Sequence, residues 1–66
     1  VATLTPRERE IVQLIAEGKI NKQIAHLLDI SVKTVETHRA AAMHKLKLGT
    51  TAELVRYAVR NNIVEP

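Results

Sequence analysis

The side chains best suited to chemistry in this 66-residue chain are three histidines and the hydroxyl and charged groups near them. His26, His38 and His44 are 12 and 6 residues apart, so no two of them have the i,i+4 spacing by which one helix offers two metal ligands. The chain has no cysteine, no glycine-rich loop and no Ser/His/acid set at a catalytic spacing, and its length leaves little room for a pocket. We therefore expect no metal site, no cofactor and no enzymatic activity.

Polar groups instead line one face of a helix predicted over residues 31–46. Ser31 can cap this helix by accepting a hydrogen bond from a backbone N–H of its first turn. One side of the helix is apolar and carries Val32, Val35, Ala42, Met43 and Leu46. The opposite side carries Lys33, Thr37, Ala40 and His44, with Glu36 and Ala41 at its margins. Since this outer face is small and mildly basic, it fits the floor of a DNA major groove, and we interpret the segment as a recognition helix.

The charge distribution supports this interpretation. The net charge of the chain is +3, and residues 19–47 hold six lysines or arginines against two acids. The remainder holds four basic residues against five acids. The positive excess therefore surrounds the predicted recognition helix, as expected for a surface that contacts phosphates. The alternative is that these cations only solvate helix surfaces.

The composition indicates one small helical domain. Hydrophobic residues make up 45% of the chain, but Tyr57 is the one aromatic residue, so the core must consist of Ile, Leu, Val and Ala. No apolar run is long enough to cross a membrane and no signal peptide is visible. The lack of cysteine fits a reducing cytoplasm. Because the chain begins at Val1 rather than Met, we expect it to be a piece of a longer protein that continues on the N-terminal side.

Residues 5–8 predict the start of a first helix. Thr5 is its N-cap, Pro6 fills the first helical position, where its missing N–H is no loss, and Glu8 completes a capping box. Gly18 is expected to end the helix in the left-handed conformation.

A second helix is predicted over about residues 21–28, with Asn21 as its cap. Lys22 lies in its first turn, where a cation is unfavourable beside the positive end of the helix dipole. A phosphate group would relieve this repulsion, because helix N-termini bind anions. The alternative for Lys22 is a solvated lysine.

The link between the second and third helices has the spacing of a helix-turn-helix unit. Only Asp29 and Ile30 precede Ser31, so the two helices must cross steeply. Ala25, Asp29 and Val35 hold the places of the small residue, the turn residue and the β-branched residue of such a unit.

A last helix is predicted over about residues 50–61, with Thr50 as its cap and Glu53 as the capping-box partner. Its core-facing residues are expected to be Thr51, Leu54, Val55 and Ala58. The opposite face carries Ala52, Glu53, Arg56, Tyr57 and Arg60. The apolar pair at residues 63–64 is expected to fold back onto the core.

Ala52, Arg56 and an exposed Tyr57 form a candidate dimerisation surface on this last helix. Tyrosine and arginine are enriched in the cores of protein interfaces, which favours a contact there. The alternative is a plain solvated face.

Taken in order, these stretches resemble a known family. The chain is similar to the LuxR/FixJ-type helix-turn-helix domain, the C-terminal DNA-binding part of many bacterial transcription regulators. The resemblance covers nearly the whole chain without a gap. It rests on residues 4–11 (LTPREREI), Gly18, residues 21–25 (NKQIA), 30–31 (IS), 34–39 (TVETHR), 45–46 (KL) and 53–58 (ELVRYA).

The resemblance implies an all-α, compact four-helix domain over residues 1–66, with the third helix in the major groove of double-stranded DNA and the fourth mediating a weak homodimer. It implies phosphate contacts at Lys22, Thr34 and His38 and base contacts at Glu36, Thr37 and Ala40. Lys33, His44 and Lys45 complete the expected DNA-binding set. An N-terminal receiver or sensor domain and a contact with RNA polymerase are also expected.

Several residues depart from the family pattern. Ile20 stands where Ser or Thr usually caps the second helix, so the cap is expected to shift to Asn21. Glu36 holds a place that is often lysine, Ala41 replaces a frequent asparagine, and Thr51 replaces a common arginine that could pair with the first helix. Two alternative functions stay open: a sigma-factor promoter-reading domain, which would normally end soon after Leu46, and a protein-interaction module that uses the last helix.

Overall fold

The computed structural model describes residues 4–61, and the chain forms four helices and no strand over that range. The helices are α1 (Pro6–Ala16), α2 (Asn21–Leu28), α3 (Val32–Leu46) and α4 (Thr51–Arg60). Helix α1 packs against the other three, and α2 also packs against α3. The predicted all-α, four-helix fold is confirmed. The prediction for residues 63–64 lies outside the described residues.

The core consists of short aliphatic side chains. Its buried members are Ile11, Val12, Ile15, Ile24, Ala25, Val35, Ala42, Leu54 and Ala58. Burying one large aliphatic side chain contributes about 1.5–3 kcal/mol relative to leaving it exposed. Since every helix supplies at least two of these groups, each helix is held in place by apolar contacts with another.

The start of α1 has the predicted capping box. The Thr5 hydroxyl accepts a hydrogen bond from the Glu8 backbone N–H at 3.1 Å, and Glu8 Oε1 accepts one from the Thr5 backbone N–H at 3.0 Å. Pro6 occupies the first helical position. Leu4 packs against the core just before the cap, so the chain enters α1 along a fixed path.

Three helices end with a residue in the left-handed conformation. Gly18 has φ +96° after α1, as predicted, while Asp29 and Lys47 have φ 56° and 57° after α2 and α3. At each end the next backbone N–H reaches back to a carbonyl five residues earlier, as Lys19 N does to Leu14 O at 3.0 Å. Helix α3 thus has its C-cap at Lys47, two residues before Gly49.

The predicted cap of α2 is wrong. Asn21 is the first residue of the helix, and Ile20 is the N-cap. Isoleucine has no side-chain acceptor, so only the reverse half of a capping box forms, in which Gln23 Oε1 accepts from the Ile20 N–H at 2.9 Å. The first turn of α2 therefore has no side-chain cap.

Two residues expected on apolar faces are exposed. Val32 is 40% exposed, because it is the first residue of α3 and precedes Val35, the first buried residue of that helix, by almost one turn. Thr51 is exposed at the first position of α4, where it precedes the buried Leu54 in the same way.

The helix-turn-helix corner depends on the small side chain of Ala25, which is 6% exposed and lies in the core with Ile24 and Val35. We expect Ala25→Leu to lower the thermal midpoint, since forcing extra methylenes into a packed core costs about 1–3 kcal/mol. Ala40→Leu is the matched control, because Ala40 is exposed on α3. Equal midpoints for the two variants in thermal melts followed by circular dichroism would contradict this packing role.

Candidate nucleic-acid interface

The exposed face of α3 is the one that the sequence predicts. Its exposed residues are Lys33, Glu36, Thr37, Ala40 and His44, and Ala41 at the margin is half-buried. Ser31 caps the helix by accepting a hydrogen bond from the Thr34 N–H at 3.0 Å. The buried residues of α3 are Val35 and Ala42 on the opposite side, so the face is fixed outward by the core.

Two hydroxyl groups near this face have intramolecular partners. Thr37 Oγ1 donates to the Lys33 carbonyl oxygen at 3.0 Å, which leaves its methyl group and oxygen lone pairs for an outside partner. The Thr34 and Ser31 hydroxyl oxygens are 2.8 Å apart and share a hydrogen bond. Both threonines are thus held in one orientation before any ligand binds.

One flank of α3 carries Thr34 and His38, both half-buried. Lys45 lies on the same flank, because positions 34, 38 and 45 fall on one side of a helix. The exposed Lys22 lies in the uncapped first turn of α2. The side chains predicted to meet phosphates therefore lie on two elements, the start of α2 and one edge of α3.

The ammonium group of Lys45 has a partner that the sequence did not reveal. Its Nζ lies 2.8 Å from Oε1 of Glu8, the capping-box partner of Thr5 in the first turn of α1. Glu8 is 5% exposed and is the one buried charged residue in the part of the chain that the structure describes. The hydrogen bond from Lys45, and then the one from the Thr5 backbone N–H, lower the pKa of Glu8 below its ordinary value of 4.5, while burial opposes this shift.

A second link joins α3 to the start of α4. The guanidinium group of Arg39, a half-buried residue, donates a hydrogen bond to the Thr51 hydroxyl. Thr51 thus pairs with α3. No local pattern in the sequence predicts this contact, because the two residues lie in different helices.

The outer face of α4 differs in part from its prediction. Thr50 caps the helix as predicted, but Glu53 Oε1 accepts from the Gly49 N–H at 3.0 Å rather than from the N-cap backbone. Tyr57 is half-buried against the core rather than exposed.

The residue that extends the exposed face of α4 is Val59. It is 61% exposed, and it follows the exposed Ala52 and Arg56 at helical spacing. Val59 is exposed because it lies on the side of α4 away from Leu54 and Ala58. The helical period of the sequence is sufficient to predict this position.

Within residues 4–61 no three His, Cys, Asp or Glu side chains come together as metal ligands. None of the four described helices combines the length and the apolar character that crossing a membrane requires.

A short helix, a tight turn and a longer helix with an exposed polar face define a helix-turn-helix DNA-binding domain. Comparison with known proteins is consistent with this class. Residues 2–58 match the profile of the family described as bacterial regulatory proteins, luxR family, and the chain belongs to this family. The predicted family resemblance is confirmed. The presence of α4 after Leu46 agrees with this assignment rather than with a sigma-factor domain.

Two curated relatives are bacterial regulatory proteins. The chain is 53% identical over 60 residues to the uncharacterized response regulatory protein YgeK of Escherichia coli, and the match covers 91% of this chain and 41% of YgeK. It is 51% identical over 53 residues to the tetrathionate response regulatory protein TtrR of Salmonella typhimurium, covering 80% of this chain and 26% of TtrR. The chain thus spans well under half the length of these relatives.

A solved structure of VqmA from Vibrio cholerae, described as a dimer among LuxR-type receptors, has the same fold. It superposes with a TM-score of 0.89 at 32% identity, over 100% of this chain and 31% of VqmA. The four-helix arrangement is therefore shared with a LuxR-type DNA-binding protein.

The lowered pKa of Glu8 predicts an acid-sensitive contribution to stability. A carboxyl group whose pKa is lower in the folded state stabilises the fold fully above its unfolded-state pKa, near 4.5, and this contribution is lost as the pH falls through the folded-state value. Glu8→Gln and Lys45→Met should therefore lose less stability than the wild type when the pH falls below 4.5. Thermal midpoints measured from pH 7 to pH 2 with identical slopes for all three proteins would contradict this expectation.

Proposed function

We propose that this chain is the sequence-specific, double-stranded DNA-binding domain of a bacterial transcription regulator, with α3 in the major groove. The observation that carries the proposal is the exposed face of α3, which combines small, hydroxyl and weakly basic groups in a chain of the luxR family. The major groove is about 12 Å wide and admits one such helix. The excess of cations in residues 19–47 supports the same orientation.

The base-reading residues that we propose are Glu36, Thr37 and Ala40. All three are exposed and lie within little more than one turn of α3. A carboxylate can accept a hydrogen bond from cytosine N4, and the methyl groups of Thr37 and Ala40 can contact thymine methyl groups. Because the Thr37 hydroxyl already donates to Lys33, its methyl group is the more available partner.

The phosphate-contacting residues that we propose are Lys22, Thr34 and His38, with Lys33 and His44 at the edges of the same face. The first turn of α2 has no side-chain cap, so its backbone N–H groups are available to an anion beside Lys22. Contacts of this kind orient the protein on the duplex but carry little sequence information.

We also propose that α4 mediates weak association of two copies on DNA. The exposed surface of α4 combines the small Ala52, the cation Arg56 and the apolar Val59, with Tyr57 half-buried beside them. A surface of so few residues favours pairing on adjacent half-sites over a stable dimer in solution, because small interfaces are weak.

The complete regulator is proposed to carry an N-terminal receiver or sensor domain. The support is that the chain covers 26–41% of curated relatives, two of which are named as response regulatory proteins. A contact with RNA polymerase and a cytoplasmic location, where bacterial DNA lies, are part of the same proposal.

The DNA-binding proposal predicts a strong salt dependence. Each neutralised phosphate releases counterions, so the affinity of the chain for duplex DNA should fall steeply between roughly 50 and 200 mM salt. Fluorescence anisotropy with a labelled duplex measures this slope. An affinity for duplex DNA that does not change with salt would contradict the DNA-binding proposal.

The assignment of Glu36 predicts a base-specific effect. Glu36→Gln should relax discrimination at one base pair by about 1–3 kcal/mol, because it changes a contact to a base edge. Lys22→Ala should instead weaken binding to all duplexes and reduce the salt slope by about one, as the loss of a phosphate contact does. A panel of duplexes with single-base substitutions separates the two effects. If Glu36→Gln strengthens binding equally across the panel, Glu36 does not read a base.

The association proposal predicts a selective loss of cooperativity. Val59→Ser should reduce cooperative binding to a duplex with two half-sites while leaving the affinity for a single half-site unchanged. Leu27→Ser is the matched control, since Leu27 is 57% exposed on α2, outside the proposed interface. Equal behaviour of the two variants in mobility-shift titrations would argue against an interface on α4.

A further inference from the structure

Lys45 differs from the other lysines of the proposed interface in where its charge lies. It shares a flank of α3 with Thr34 and His38, yet its Nζ is 2.8 Å from Glu8 Oε1 on α1. The side chain of Lys45 is 37% exposed and that of Glu8 is 6% exposed. The ammonium group is therefore drawn toward a buried carboxylate of the neighbouring helix.

The Glu8 carboxylate is a fixed partner. The same oxygen that accepts from Lys45 also accepts from the Thr5 backbone N–H at 3.0 Å, so the capping box of α1 sets its position. When a lysine side chain pairs with a carboxylate held in this way, the pair restricts the orientation of the helix that carries the lysine. By contrast, the other ion pair within residues 4–61, Arg7–Glu10, joins two exposed side chains of one helix at 3.6 Å.

The other contacts of the C-terminal half of α3 with the core are apolar. Its one buried apolar residue is Ala42, whose side chain is a single methyl group. Met43 and Leu46 are half-buried against the core. Apolar contacts of this kind are not directional, whereas the hydrogen-bonded ion pair has a defined geometry. The Lys45–Glu8 pair therefore adds a directional contact to the apolar packing that sets the rotation of α3 about its axis, which decides where Ala40 and His44 point.

We propose that Lys45 is a positioning residue, which fixes the groove-facing side of α3 against α1 through Glu8, and that it does not contact a DNA phosphate. This inference rests on the proposed DNA binding and replaces the DNA contact expected of Lys45. Its consequence is that Glu8, a buried acid of α1, contributes to sequence discrimination without touching DNA.

Glu8→Gln is the most informative variant. Glutamine can keep the capping box, as Gln23 does when it accepts from the Ile20 N–H, but it removes the negative charge. Lys45 is then released from the carboxylate and becomes available to phosphates. Glu10→Gln is the matched control, because it makes the same change two residues along α1 in the exposed pair.

The experiment uses the 66-residue chain and two duplexes of equal length, one selected by the wild type from random sequences and one scrambled. We expect Lys45→Met to reduce the ratio of specific to nonspecific affinity about tenfold, the scale of one lost base contact, with no change in the nonspecific salt slope. Glu8→Gln should lose a similar part of this ratio but steepen the nonspecific slope by about one. Lys45→Arg should restore the wild-type ratio, and Glu10→Gln should change neither quantity.

Opposite results overturn the proposal. If Lys45→Met lowers the salt slope by about one and leaves the ratio unchanged, Lys45 contacts a phosphate. If Lys45→Met does not fold, the Glu8→Gln slope decides the matter: a steeper slope supports the positioning role and an unchanged slope excludes it.

A measurement without DNA separates this inference from the proposed function. Backbone amides at residues 43–46 should exchange with solvent faster in Glu8→Gln and Lys45→Met than in the wild type, while those of α2 stay unchanged. If the wild type selects no duplex, the proposed function fails and the exchange rates alone test the contact. Unchanged exchange at residues 43–46 in both variants overturns the positioning role.

Discussion

The packing of α3 against α1 is the constraint on which the rest of the domain depends. It buries Val35 and Ala42 and so determines which residues of α3 remain outside. Helix α1 can serve two further helices because its own side chains, Ile11, Val12 and Ile15, supply a third of the buried apolar residues. Helix α2 and its turn then close one end of this contact, and α4 covers another side of α1. An outward face on α3 is therefore a property of the whole core.

A core without Phe or Trp has a particular consequence for the helix ends. Small aliphatic groups let helices approach closely, but they bury little area in a chain of this length. Local hydrogen bonds therefore contribute a larger share of the folding stability than they do in a large domain. Thr5, Ser31 and Thr50 each accept from a backbone N–H of their own helix, and Gly18 ends α1 through its left-handed conformation. These contacts are made within a few residues, which explains why helix bounds follow closely from the sequence.

Long-range contacts explain what the sequence could not predict. The caps at Thr5, Ser31 and Thr50 depend on neighbours three residues away, so their patterns are visible without a structure. The pairing of Glu8 with Lys45 spans 37 positions, and no periodicity relates the two residues. The helical period also placed Tyr57 on the outer face of α4, but it is half-buried, since an aromatic ring at the margin of a small core can reach back over it. The sequence thus predicts which face of α3 is exposed, but it does not predict the Lys45–Glu8 contact that attaches α3 to α1.

Asp29 is a turn residue at which a substitution can raise the stability of the domain. Its left-handed backbone is strained for a residue with a side chain, and its negative charge lies at the C-terminus of α2, the negative end of that helix dipole. Asparagine tolerates the same backbone and carries no charge. Asp29→Asn would therefore stabilise the turn between α2 and α3 and reduce the electrostatic repulsion of a polyanion. Proteins commonly remain below the greatest stability that their fold allows. In this chain, stability can be gained at Asp29 in the turn. Since Asp29 is not one of the side chains proposed to read bases, stability and sequence preference can evolve separately.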